Sequence, residues 1–211
     1  MKILYQGAES KIYLDVFDGQ EVIVKERIAK NYRIKQLDEK LRKTRTRKEV
    51  KLLTEVRKLN IPTPKILSVD EKNHRIIMEY INGHRLKEYL NSISINDVKS
   101  ICFKLGKQIG KLHSNNIVHG DLTTSNMILK DDKIYFIDFS LGEFTERVEN
   151  KAVDMKLLKE ALESTHFKIF DDAWNSLVLG YKEEYKNADV VFNQLKEIEK
   201  RGRYVNREDS L

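Results

Sequence analysis

Three polar residues in the middle of the chain have the types and spacing needed to transfer a phosphoryl group. Asp121 and Asn126 lie five residues apart in the run HGDLTTSN at 119–126, and Asp138 follows twelve residues after Asn126. Asn126 and Asp138 offer hard oxygen ligands of the kind that Mg²⁺ prefers, and both leave coordination positions for nucleotide phosphates. Asp121 would orient an attacking hydroxyl or water and accept its proton. Either part alone suits a solvated polar turn, but together they predict phosphoryl transfer from ATP with Mg²⁺ or Mn²⁺.

A lysine near the start of the chain fits the same chemistry. Lys25 ends the apolar run at 22–24, and a lysine at the end of such a strand reaches ATP phosphates when a glutamate from the following helix holds it. Glu49 is the partner that we expect, although helical periodicity also allows Glu39 and Glu55. Without the downstream residues, Lys25 would be interpreted as an ordinary exposed strand lysine.

Two weaker signals complete the predicted nucleotide site. The turn between the first two strands would place backbone amides and a hydroxyl over the phosphates, and its residues are Gly7, Ala8, Glu9 and Ser10. After the fifth strand, backbone groups of Glu79 and Ile81 would pair with an adenine edge, and Met78 would border the back of the pocket. One glycine by itself predicts only a hairpin turn, and Met78 by itself a core residue, so both assignments depend on position.

The elements that must position these residues fall into two groups. Up to residue 81 the pattern predicts strands over 3–6, 11–17, 21–26, 65–69 and 75–79, and a helix over 37–59. Beyond it the pattern predicts helices over 86–90, 95–114, 151–164, 170–186 and 190–200, with a hairpin of 127–129 and 134–137. We therefore expect an α+β, bilobal fold. A five-stranded antiparallel N-terminal lobe (1–81) would be followed by a reduced helical C-terminal lobe (82–211), with ATP between them.

Composition excludes several classes of protein. The 211 residues are 40% hydrophobic and 34% charged, which is typical of a globular protein. Because no apolar run is as long as a membrane span and the N-terminus has no signal-peptide core, we expect a cytoplasmic protein without membrane contact. Cys102 is the only cysteine, so an internal disulfide is ruled out.

These motifs together resemble a known family, the small atypical protein kinases of the KEOPS complex, archaeal in type. That complex makes threonylcarbamoyladenosine in tRNA, and a looser resemblance extends to the RIO kinases. The segments that carry the resemblance span the chain: 7–10, 32–33, 37–38, 41–42, 45–46 with Glu49, 119–126, 151–154 and 201–203. The resemblance implies a protein-kinase-like fold, Ser/Thr autophosphorylation and ATPase activity. It also implies a partner, the metal-dependent ATPase that transfers the threonylcarbamoyl group.

Several residues depart from ordinary protein kinases. Gly120 replaces the Arg that senses an activation-loop phosphate, Thr123 replaces a phosphate-steadying lysine, and Ser140 replaces the glycine that follows Asp138 and Phe139. No Ala-Pro-Glu sequence follows, so little chain is left for docking a peptide. These departures favour self-phosphorylation, a substrate presented by a partner, or water as acceptor. A small-molecule kinase of the aminoglycoside or choline type and a non-catalytic pseudokinase scaffold are the alternatives.

Positive charge is concentrated in one segment. Residues 27–48 contain ten Lys or Arg and two acidic residues, although the whole chain is only +6. A solvated helix face is the usual explanation of such a run. The alternative is contact with tRNA phosphates by the segment's arginines (Arg27, Arg33, Arg42, Arg45, Arg47) and the C-terminal tail with Arg201 and Arg203. The tail might instead turn toward the nucleotide or the partner subunit.

Overall fold

A computed structural model of the chain describes residues 2–7 and 9–208, with side chains as far as Arg201. Contacts divide it into two compact units. The first runs to Gly83 and also contains Lys130–Ser140, whereas the second takes in His84–Leu129 and continues from Leu141. This division differs from the predicted lobes 1–81 and 82–211, because the segment that carries Asp138 packs with the first unit.

A five-stranded antiparallel sheet forms most of the first unit, in the order β1-β2-β3-β5-β4. Its strands are β1 (Lys2–Gln6), β2 (Ser10–Phe17), β3 (Gln20–Arg27), β4 (Ile66–Asp70) and β5 (Arg75–Glu79). Asp18 and Gly19 turn β2 into β3 with φ values of 49° and 75°, as the two-residue hairpin predicts. Lys25 lies on the central strand, in register with Ile12 on β2 and Ile76 on β5.

One long helix, α1 (Lys35–Lys58), completes the first unit with an unusual buried face. Leu53 and Val56 are buried as expected, but so are Leu52, Thr46 and Glu49. Spacings of three and four residues put Thr46, Glu49, Leu53 and Val56 on one side of the helix. Glu49 is therefore on the face that packs inward, although helical charged residues are usually exposed. Three apolar residues of this helical segment are only half-buried: Leu41, Val50 and Leu59.

The strand that leads to Asp138 is β9 (Lys133–Phe136), which follows β8 (Met127–Lys130). Ile134 and Phe136 are buried. The Phe136 amide donates to the Pro62 carbonyl at 3.0 Å, so this segment is attached to the chain just beyond α1.

The second unit is mainly helical, as predicted. Its helices are α2 (Leu86–Tyr89), α3 (Ile95–Ser114), α4 (Val148–Thr165), α5 (Phe170–Glu184) and α6 (Ala188–Glu208). Helices α3 and α5 approach closely because both have a glycine at the contact. A Cβ on Gly106 would collide with the Leu177 carbonyl, and one on Gly180 with the Phe103 carbonyl.

Short strands flank the loop 119–126 within the second unit. Strand β7 (Ile117–Val118) pairs antiparallel with β10 (Glu143–Phe144), and β6 (His84–Arg85) pairs antiparallel with β8. These pairings fix both ends of the loop. Among the described residues, no helix combines the length and apolar character needed to cross a bilayer.

Candidate active site

Lys25 is buried, with only 3% of its surface exposed, and its ammonium group faces three oxygen atoms. Nζ lies 2.7 Å from Glu49 Oε1, 2.6 Å from Asp138 Oδ1 and 2.8 Å from Ser140 Oγ. Burial lowers the pKa of Lys25, but the carboxylates of Glu49 and Asp138 outweigh it and leave that pKa above its ordinary value. Of the three glutamates that periodicity allowed, Glu49 is thus the partner of a fully charged Lys25.

Arg27 also belongs to this cluster, although the sequence placed it in the basic surface run. Its side chain is buried, and Nη2 donates to Glu49 Oε2 at 2.6 Å. Glu49 therefore gives one oxygen to Arg27 and the other to Lys25. The two cations lie two residues apart on β3 and so point to the same side of the sheet, which is the signal that could have identified Arg27. A buried Arg27 corrects its assignment as a tRNA contact.

Asp138 adopts a left-handed backbone conformation, with φ of 63°. A residue other than glycine reaches this region at a cost, and such residues cluster at functional sites. Its Oδ1 accepts from Lys25 and, at 3.2 Å, from the Ser140 amide. Burial raises the pKa of Asp138, but the charge and hydrogen bond of Lys25 lower it further, so the pKa lies well below its ordinary value. The carboxylate is ionised, as a magnesium ligand must be.

Ser140 contributes a hydroxyl at the position where ordinary protein kinases have a glycine. This hydroxyl donates to Asp138 Oδ1 in a short hydrogen bond and accepts from Lys25 Nζ. It also lies 3.4 Å from Glu49 Oε2. A glycine would leave all three groups without this contact, so Ser140 ties the segment after β9 to the lysine–glutamate pair.

In the second unit, the side chain of Asn126 contacts Asp121. Asn126 Nδ2 donates to both the Asp121 carbonyl and Asp121 Oδ2, each at 2.9 Å. Since the amide nitrogen is engaged, the Asn126 side-chain oxygen is the atom that suits a metal. Asp121 itself is exposed, as a residue that meets an acceptor hydroxyl must be.

A buried carboxylate accepts hydrogen bonds from the backbone of this loop. Asp154 on α4 accepts from the His119 amide at 2.6 Å and from the Gly120 amide at 2.8 Å, and its Oδ2 lies 3.4 Å from His113 Nε2. Asp154 entered the sequence analysis only as part of the family resemblance, and this role was not predicted. A lone Asp among apolar helix residues such as Ala152 and Met155 was the available signal.

Gly120 is explained by the same loop. Its φ is 79°, and an added Cβ would collide with the Leu141 carbonyl. A side chain is therefore excluded at the position where an activation-loop sensor was found missing. Further along, His166 connects Thr124 Oγ1 at 3.2 Å to Asn91 Oδ1 at 2.9 Å, which steadies the turn that carries Asn126.

The turn predicted to cover the phosphates is only partly free for that role. The Gly7 amide donates to the Ser10 carbonyl at 2.9 Å, and the Glu9 carbonyl accepts from Ile28 at 3.0 Å. The Glu9 carboxylate pairs with Arg45 and lies 3.5 Å from Arg33, so it faces cations rather than a nucleotide. Ala8 lies outside the described residues.

The predicted adenine contacts are at the end of β5. Met78 is buried there, in register with Ile23 and Ile66. The Glu79 amide donates to the Lys65 carbonyl at 2.8 Å, so of its two backbone groups only the carbonyl is left for a base. Ile81 is buried. Its contact with adenine stays a prediction.

The arginines of the basic segment are mostly paired with carboxylates. Arg42 Nε lies 2.7 Å from Asp38 Oδ2, and Arg47 Nη2 lies 2.6 Å from Glu71 Oε2. They do not form an unpaired stripe of the kind that tracks a nucleic-acid backbone. Arg201 is 70% exposed, and the side chain of Arg203 lies outside the described residues.

Known proteins resemble the chain over most of its length. The RIO domain family pattern matches residues 10–155. The KEOPS complex subunit Bud32 of Pyrococcus abyssi is 48% identical, with 98% of both chains aligned. A probable bifunctional tRNA threonylcarbamoyladenosine biosynthesis protein of Methanocaldococcus jannaschii is 42% identical over 96% of this chain. Our chain spans only 37% of that longer relative.

A solved structure confirms the fold class. The Rio2 kinase of Chaetomium thermophilum, in a complex with ADP, Mg²⁺ and phosphoaspartate, superposes with a TM-score of 0.66 at 14% identity. This covers 97% of our chain and 72% of the other. Such a low identity shows the fold and nothing finer. The domain match and the 48% identity over nearly the full length show the family: the chain belongs to the RIO-domain family, within the group of the Bud32 subunits.

Proposed function

We propose that this chain is an ATP-dependent Ser/Thr protein kinase and ATPase, and that it serves a KEOPS complex in the threonylcarbamoyladenosine modification of tRNA. One observation supports the chemical part of the proposal: Lys25 is buried and lies 2.7 Å from Glu49 Oε1 and 2.6 Å from Asp138 Oδ1. The similarity to a KEOPS complex subunit and to a probable tRNA threonylcarbamoyladenosine biosynthesis protein supports the assembly and the tRNA modification. A tRNA-modifying assembly would work in the cytoplasm.

Each residue has a role in the proposed reaction. Asp138 and Asn126 would hold Mg²⁺, which neutralises charge on the phosphates of ATP. Lys25, positioned by Glu49, would bind those phosphates. Asp121 would orient the acceptor hydroxyl and take its proton as the bond to the terminal phosphorus forms and the bond to the ADP oxygen breaks.

The direct contact between Lys25 and Asp138 has a consequence for nucleotide binding. Their 2.6 Å ion pair joins the two groups that ATP and its metal need separately. Phosphate oxygens would replace Asp138 beside Lys25, and the metal would replace Lys25 beside Asp138. Charge balance is kept in this exchange, so binding need not leave either buried group unpaired.

The acceptor is not fixed by a docking segment. Gly120 cannot carry a phosphate-sensing side chain, and Thr123 supplies no charge to steady the transferred group. We propose self-phosphorylation, a substrate presented by a partner, or water. The proposed partner is the metal-dependent ATPase that transfers the threonylcarbamoyl group. Contact with tRNA is proposed for the tail, at Arg201 and Arg203, since the described arginines of 27–48 are largely paired.

The test follows ATP that carries a labelled terminal phosphate, with and without tRNA and the partner ATPase. Asp138→Asn should lower turnover by at least about 10²-fold, because the metal ligand is lost. The matched control is Asp171→Asn, an exposed residue on α5, which should keep normal turnover. Label in protein would identify a kinase, and released phosphate an ATPase. Unchanged turnover in Asp138→Asn would contradict the proposal and favour a non-catalytic scaffold.

A further inference from the structure

A pocket in the first unit is lined mainly by positively charged side chains. It lies where the end of β3, the loop after it and the first half of α1 converge, and its charged lining residues are Glu9, Arg27, Lys30, Arg33, Arg42 and Arg45. Five of these six side chains are positive. Apart from Arg27, which also contacts Glu49, none of the five has a role in the proposed reaction, so phosphoryl transfer does not explain the pocket.

The carboxylates near the pocket do not balance its charge. Buried Asp38 is shared by Arg42 Nε at 2.7 Å and Arg33 Nη1 at 3.6 Å. Glu9 is shared in the same way by Arg33 and Arg45. Three arginines therefore divide two carboxylates among them. Arg27 and Lys25 are paired separately with two further carboxylates, Glu49 and Asp138.

Both carboxylates are ionised. Hydrogen bonding to Arg45 lowers the pKa of Glu9. Burial raises the pKa of Asp38, but the hydrogen bond from Arg42 and the Lys30 amide lower it further, to below its ordinary value. Three arginines on two carboxylates leave an excess of positive charge at the pocket, which an added anion would compensate.

Arg27 supplies the second, independent observation. Its side chain is 96% removed from solvent, being 4% exposed, and Nη2 is engaged by Glu49. Its Nε is buried and has no hydrogen-bond partner within the described structure. Buried N–H donors are rarely left unpaired. A donor of this kind in the wall of a cationic pocket indicates an acceptor supplied by a ligand.

From this geometry we propose that the pocket binds the phosphate group of a phosphate monoester or inorganic phosphate, at a site separate from the one for ATP. Guanidinium groups match phosphate oxygens in both charge and shape. A dianion suits convergent cations in a concave site. A nucleic-acid backbone would instead require cations spread along an open surface, whereas here one arginine is buried and the others share carboxylates.

The experiment titrates inorganic phosphate, and separately a phosphoserine peptide, into the full chain saturated with Mg²⁺ and a non-hydrolysable ATP analogue. Saturation prevents phosphate from reporting on the nucleotide site. Arg33→Gln should weaken binding about tenfold, since one charged hydrogen bond to a dianion is lost. Arg42→Gln should act similarly. The control is Arg47→Gln on the same helix, whose partner is Glu71 and which does not line the pocket; it should change binding less than twofold.

Two outcomes support the site and distinguish its ligand. Tighter binding of the phosphoserine peptide identifies a phosphorylated side chain, and equal or tighter binding of inorganic phosphate identifies the free anion. The proposal is overturned if neither probe binds, if Arg47→Gln weakens binding as much as Arg33→Gln, or if only an RNA duplex binds through these arginines. Asp138→Asn should leave phosphate affinity unchanged, so failure of the proposed ATP chemistry would be recognised separately.

Discussion

The two units of the chain bury charge in different ways. In the first unit, charged side chains form ion pairs with each other: Lys25 and Arg27 share Glu49, and Lys25 also contacts Asp138. In the second unit, a buried carboxylate binds the backbone instead: Asp154 accepts hydrogen bonds from two consecutive main-chain amides. Lys25, Arg27, Glu49 and Asp154 are all buried, yet the two arrangements differ in what a ligand can change.

Ion pairs can exchange one charged partner for another, whereas backbone amides have no alternative partner of equal quality. We therefore interpret the first unit's cluster as the part that responds to nucleotide and metal. The loop held by Asp154 is preorganised and should keep its shape throughout the reaction. Substitution of Asp154, which binds the loop, should therefore affect mainly the stability of the protein. Substitutions in the ionic cluster should affect mainly the turnover of ATP.

The largest effect on stability should come from Asp154→Ala. The substitution leaves the buried His119 amide and the partly buried Gly120 amide without an acceptor, each at about 1–3 kcal/mol, so we expect the free energy of unfolding to fall by about 3–5 kcal/mol. Urea denaturation would measure it. Asp189→Ala, at an exposed position on α6, is the control and should cost less than about 1 kcal/mol. A loss below that level in Asp154→Ala would contradict the account of the loop.

Glu49→Gln should reverse the balance, with a larger effect on turnover than on stability. The amide keeps the shape but removes the charge that Lys25 and Arg27 share, so we expect ATP turnover to drop by about 10²-fold. Steady-state assays would measure it. The controls are Glu39→Gln and Glu55→Gln on the same helix, which should retain near-normal rates. If either control were as damaging, the assignment of Glu49 would be wrong.

Ser140→Ala tests how the cluster is joined to Asp138. Loss of the hydroxyl removes the contacts to Asp138 and Lys25 while their direct ion pair remains, so the free energy of unfolding should fall by about 1 kcal/mol. Thermal and urea unfolding would both show it. Ser164→Ala, where an exposed hydroxyl contacts only helix carbonyls, should change stability by less than about 0.5 kcal/mol. Equal losses of unfolding free energy in the two variants would show that the Ser140 contacts stabilise the protein no more than those of an ordinary exposed serine.

The smallest effect should be a pH dependence of the ionic cluster. Because the folded pKa of Asp138 is depressed, its carboxylate contributes stability above the unfolded pKa of about 3.9, and this contribution is lost as pH falls through the folded value. Urea midpoints should therefore fall more steeply below about pH 5 in the native protein than in Asp138→Asn. Parallel pH profiles for the two proteins would contradict the lowered pKa.

The sequence predicted most of the elements because their signals are local. Helix α3 begins and ends at the predicted residues 95 and 114, and the Ser94 side chain at its N-terminus accepts from the Asp97 amide at 3.2 Å. The five strands were found to within about two residues. The resemblance to KEOPS-associated kinases and the fold class were also confirmed.

The rest depends on which side chains meet after folding. Arg27 continues into a basic run, so its burial beside Glu49 has no local signal beyond its two-residue spacing from Lys25. Glu49 lies inward because it has two cations to neutralise, and helical periodicity counts it as polar. The grouping of Asp138 with the first unit likewise depends on contacts such as the bond from Phe136 to Pro62, which composition cannot indicate.

The most direct test of the account is the metal dependence of nucleotide binding. We would measure the Kd of a non-hydrolysable ATP analogue with Mg²⁺ and with a chelator, for the native protein and for Asp138→Asn. The account predicts that Mg²⁺ tightens binding by at least about tenfold in the native protein, and that Asp138→Asn loses this gain while its metal-free affinity is kept. The same gain with Mg²⁺ in both proteins, or none in either, would contradict the assignment of Asp138 as the metal ligand.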